Sequence, residues 1–121
     1  MTLGEFLLNA AREPKWHCST MEADWVMASG YPDFAAKWRG DMTDAECEEA
    51  SAGGLLPLWN DGIGAGLPET KSPQVGDIAV VKFLGHETGA IFTGDKWAIR
   101  SAKGIAFIAR NRVVVLKAWH V

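Results

Sequence analysis

The spacing of apolar residues changes once along this chain, and that change restricts it to one fold class. Up to residue 54 the apolar residues recur every three or four positions, as on one face of a helix. From residue 75 they fall into short β-branched and aromatic runs separated by Gly, Asp or Asn. Thr2 with Glu5 makes a capping box ahead of Leu3, Phe6, Leu7 and Ala10, and Pro14 ends that helix. A second helix is predicted over 19–29, with Cys18, Met21, Trp25 and Ala28 near one stripe and Gly30 as its stop. Pro32 opens a short third helix carrying Phe34 and Trp38 and closed by Gly40. Thr43 and Glu46 repeat the capping box for a fourth, acidic one ending at Gly53-Gly54. Residues 55–74 are Gly/Pro-rich and read as a turn of helix and a long loop. Strands are predicted at 75–83, 89–94, 96–101, 105–110 and 113–119. Helices segregated ahead of strands define an α+β fold, with N-terminal helices packed on a C-terminal bent antiparallel sheet of four or five strands.

At 121 residues, 48% of them hydrophobic and 22% charged, the chain fits a single domain over 1–121 with a substantial core. No apolar run approaches the roughly 20 residues of a membrane span. The N-terminal stretch lacks the basic region of a signal peptide, and two cysteines without repeated spacing point to a reducing compartment. These features predict synthesis in a cytoplasm without a membrane span. The net charge of −3 conceals an asymmetry. Residues 1–70 hold 4 Lys/Arg against 12 Asp/Glu, whereas residues 71–121 hold 8 against 3. The two sets either attract each other within one fold or offer a polar surface to neighbours in an assembly. The basic residues are scattered and not interleaved with aromatics, so no nucleic-acid partner is predicted.

Cys18 is the candidate nucleophile. A thiol in the first turn of a helix meets unpaired N–H groups and the positive end of the helix dipole, which stabilise thiolate. The same spacing equally suits the first residue of a buried stripe. A thiolate enzyme needs a base within hydrogen-bond reach. His17 is adjacent, but neighbouring helical side chains diverge by about 100°. His86, in "LGHETGAIF", precedes the second predicted strand and is the candidate base; an exposed turn histidine is the alternative. His120 reads as a solvated chain end. His17, Cys18, Cys47, His86 and His120 supply metal-ligand types without metal-ligand spacing, so no metal is predicted. "DGIGAG" (61–66) lacks the strand–loop–helix context of a phosphate loop, and no cofactor is predicted. Asp44/Glu48 and Glu46/Glu49 read as a solvated helix face, and most of the six tryptophans as core.

The order of these features resembles a known group. A cysteine heads a helix ending in "ADWV", a Gly-Gly loop follows, "VGDIAVV" opens a sheet, and "AIFTGDKWAI" continues it. Together with "MTLGEFL" and the terminal "AWHV", this resembles a small family encoded in tail gene clusters of siphophages and prophages, itself similar to NlpC-type cell-wall cysteine peptidases of the papain-like clan. The resemblance implies a papain-like fold, a virion-tail location, and other phage tail proteins as partners, with peptidoglycan as the substrate of an active member. It places Cys18 at the nucleophile. Aligning Ala90 to Gly94 with the peptidase strand puts Thr88 where the catalytic histidine belongs and Arg100 where the residue orienting it belongs. His86 falls two residues earlier, roughly 6–7 Å along the strand. Arginine has no lone pair to accept the imidazole N–H. The resemblance therefore implies a tail component with an impaired catalytic set, or an active peptidase in which His86 substitutes as base.

Overall fold

A computed structural model describes residues 2–11, 20–36, 55–101 and 104–121. They form an α+β structure with three helices, α1 (Leu3–Ala10), α2 (Thr20–Ala28) and α3 (Leu55–Ile63). The strands are β1 (Glu69–Thr70), β2 (Ile78–Phe83), β3 (His86–Phe92), β4 (Lys96–Ser101), β5 (Gly104–Ala109) and β6 (Val114–Trp119). The sheet is open and wholly antiparallel, in the order β1-β6-β2-β3-β4-β5. It therefore has six strands where four or five were expected, because β1 arises within the predicted loop.

Local chemistry accounts for several boundaries. The Thr2 hydroxyl accepts from the Glu5 amide at 3.1 Å and so caps α1 as its sequence predicts. The hairpin between β2 and β3 turns through Leu84 and Gly85, at φ +51° and +80°. Positive φ at both central residues marks the tight turn whose twist matches antiparallel strands. This turn brings His86 into β3 as its first residue, opposite Phe83. The predicted third helix appears as a turn at 34–36, where the Asp33 carboxylate accepts from the Ala35 amide at 2.9 Å. Trp38, Gly40 and the predicted fourth helix lie outside the described residues.

Helix α3 extends the turn of helix expected within 55–74 to nine residues, Leu55–Ile63. Leu55, Trp59 and Ile63 recur every four residues and are buried on one face. Pro57 sits in the first turn, where a missing N–H costs nothing. The N-terminus is capped from the sheet: Glu87 Oε1 accepts from the amides of Leu55 at 3.0 Å and Leu56 at 3.3 Å.

At the centre of the sheet both faces are buried, for different reasons. The face toward the helices holds Ile78, Val80, Ile91, Ala98 and Trp119, packed with Phe6, Val26 and Trp59. On the other face, Ala79, Val81, Ala90, Phe92, Trp97, Ile99 and Ala118 form a second core joined by Ile108 and Val113. Ile108 lies in β5 and Val113 just before β6, with three strands between β5 and β6 in the sheet. They meet one core because the sheet curls. Ala118, Ala79 and Ala90 stand abreast across β6, β2 and β3, and their small side chains permit the curvature.

Candidate functional site

Strand β3 meets α2 at one point of close approach. Alternation along the strand turns Glu87, Gly89 and Ile91 toward the helices and His86, Thr88, Ala90 and Phe92 toward the second core. At Gly89 the approach is closest. A methyl group there would lie 2.6 Å from Cζ2 of Trp59, 2.8 Å from Cδ of Glu22 and 2.9 Å from its Oε2. Glycine is required here by the neighbouring side chains, since this residue has no positive φ.

Glu22, in the first turn of α2, is fully buried in this junction. Loss of hydration raises its pKa to about 8, with Asp24 adding to the rise; its backbone hydrogen bond and the Arg100 charge oppose it. The carboxyl is therefore mostly protonated at neutral pH. Arg100 of β4 shares the helix-facing side of the sheet and donates from Nη1 to the carbonyl of Ala10, at the C-terminal end of α1. A cation suits that negative helix end. Arg100 thus ties β4 to α1.

Of the sequence candidates, Cys18, His17 and Cys47 lie outside the described residues. His86 is exposed at the start of β3. Thr88 is half-buried on the second-core side, its hydroxyl 3.4 Å from the Gly89 carbonyl. The expected α2 stripe also widens: Met21, Glu22, Ala23 and Val26 are buried, whereas Ala28 is exposed. The helix is covered by both α1 and β3, so more than one stripe is shielded. Trp25 packs on Phe6, ring centroids 5.3 Å apart, and donates from Nε1 to the Gly76 carbonyl at 2.7 Å.

A second constellation was not legible in the sequence. His120 Nδ1 lies 2.9 Å from Oδ1 of Asp77, which is buried immediately before β2. Asp77 Oδ1 also accepts from the Val121 amide at 3.1 Å, and Oδ2 from the Gln74 amide at 2.8 Å. His120 is 57% exposed on its side chain, but it is a held residue and not a free chain end. The pair adjoins Gly76, whose carbonyl Trp25 holds, and lies beside Phe92, three residues along β3 from Gly89. Asp77 thus closes the 74–77 turn and anchors residues 120–121. Asp77→Ala is expected to lower stability by about 2 kcal/mol, because two backbone N–H groups in part-buried positions lose their acceptor; His120→Ala costs far less. Equal urea midpoints for the two variants would refute this role.

Among the described residues, no group of three His, Cys, Asp or Glu side chains gathers to hold a metal, and no helix is long and apolar enough to cross a membrane.

The described residues thus define an α+β protein whose three helices bear on a curled six-stranded antiparallel sheet, with a buried protonatable carboxyl at the helix–sheet junction. The profile of the family described as "Domain of unknown function (DUF6950)" matches residues 3–121, and the chain belongs to that family. No curated protein and no solved structure matches it.

Proposed function

We propose that this chain is a papain-like, NlpC-type domain that serves as a phage or prophage tail component, at the tail tip or in its assembly, and does not hydrolyse peptidoglycan. The observation that carries the loss of catalysis is Gly89. The point of β3 nearest α2 carries no side chain, and Glu22 and Trp59 fill the space a histidine would need. Thr88, aligned with the peptidase histidine, belongs to the opposite face of the strand, and Arg100 is committed to the end of α1. The residues of β3 that face the helices, Glu87, Gly89 and Ile91, include no histidine to serve as base for a thiol preceding α2 in the sequence. The tail role itself rests on the resemblance of the ordered motifs.

The test is direct. Purified protein incubated with peptidoglycan is expected to release no muropeptides, and Cys18→Ala is expected to behave as wild type. The protein is expected to co-purify with tail proteins when expressed from its gene cluster. Muropeptide release that disappears in both Cys18→Ala and His86→Ala would replace this reading with an active cysteine peptidase.

A further inference from the structure

The concave face of the curled sheet opens at one end into a cavity of about 300 Å³, between the β1–β6 edge and the corner joining β5 to β6. Its floor is the Phe92–Trp97 pair, ring centroids 4.8 Å apart. The Arg110 guanidinium stands 5.5 Å from the centre of the Phe92 ring. Lys71 and Lys117 also line the cavity, but Glu69 holds both, at 2.9 Å and 3.8 Å. Among the described residues no carboxylate lies within ion-pair distance of Arg110. A guanidinium above an aromatic floor, with its fork uncommitted, suits a carboxylate bound side-on.

The strand beside this cavity is incomplete on its outer side. β1 pairs with only Ala118 and Trp119 of β6, so the lane beyond Val114 to Lys117 has no strand partner among the described residues. Val114, Val115 and Leu116 are 61%, 42% and 39% exposed, and Val115 and Leu116 also line the cavity. Consecutive exposed apolar residues on an open edge favour addition of another strand. The register shift between Val80 and Val81 bulges β6 here, which discourages indiscriminate pairing. We infer that this edge and cavity dock an extended segment of a partner protein, which continues the lane begun by β1 and sets an acidic side chain on Arg110. Glu69 on the rim opposes a polyanion, so a single carboxylate in an otherwise apolar strand fits better than a nucleic-acid backbone. The inference is independent of the tail reading.

Fluorescence anisotropy of a short labelled peptide, alternating Val and Thr around one central Glu, tests it with the full chain. Saturable binding is expected. It is expected to weaken about tenfold in Arg110→Ala and about tenfold when the peptide Glu becomes Gln, with little further loss when both are changed. N-methylation of alternate peptide amides is expected to abolish binding without touching the protein. The inference is overturned by no binding at millimolar protein, by equal binding of the Gln or N-methylated peptide, or by an Arg110-dependent site that takes a single-stranded oligonucleotide instead.

Discussion

Gly89→Ala is expected to lower stability by about 3 kcal/mol or more, an unusually large effect for one added methyl group. The new carbon would sit 2.6 Å from Trp59 and 2.8 Å from the Glu22 carboxyl carbon. Trp59 has nowhere to go: it is completely buried, with Phe34 at 5.0 Å and Trp119 at 5.7 Å between ring centroids. Relief must come from β3 or α2 moving apart, and overpacking of this kind costs about 1–3 kcal/mol or more. The control is Gly4→Ala. Its added carbon would meet nothing closer than 4.0 Å in α1, and a gain of up to about 1 kcal/mol is expected from helix propensity. Urea denaturation of the two variants measures the contrast. A Gly89→Ala midpoint equal to wild type would mean that β3 and α2 do not meet at this residue. The same crowding predicts that no larger side chain is accommodated at 89 without β3 and α2 separating.

Glu22→Gln is expected to stabilise the protein at slightly alkaline pH and to flatten its dependence on pH. The Glu22 carboxyl titrates near 8 when folded and near 4.5 when unfolded. As pH rises from 4.5, the unfolded chain releases this proton first, so the folded state loses relative stability throughout the interval. The loss levels off above about 8. Each unit of difference corresponds to about 1.4 kcal/mol, so Glu22 costs several kcal/mol by the top of the window and almost nothing at its bottom. The variant and wild type should therefore have similar unfolding free energies near pH 5 and diverge steadily toward pH 8. Parallel curves across that range would show that Glu22 ionises freely in the folded protein. The result is specific to this residue because the pH profiles differ by one carboxyl.

Structure is legible in the sequence where its determinants are local. Thr2 and Glu5 announce the start of α1 because a hydroxyl reaches only its own first turn. The run "KWAIRS" becomes β4 over the residues expected, since Gly and Asp on one side and Gly on the other delimit it. Helix α3 runs beyond the single turn expected because its cap comes from Glu87, more than thirty residues away, and a Gly/Pro-rich neighbourhood otherwise resembles loop. β3 starts three residues earlier than expected because Leu84 takes a positive φ that its identity does not suggest. Glu22 looks like a solvated acid by composition. Only the convergence of α2, β3 and Trp59 removes it from water. Asp77 and His120 are more than forty residues apart, and nothing in either local context pairs them.

By itself, then, the amino-acid sequence determined the division into a helical half and a stranded half, the cap of α1 and the alternation that sorts each strand into two faces. These follow from period and from contacts within a few residues. Tertiary structure alone decided which face of β3 meets α2, why Gly89 has no room for a side chain, and why Glu22 holds its proton. Close approach and burial are properties of residues brought together from distant parts of the chain, and no local spacing encodes them.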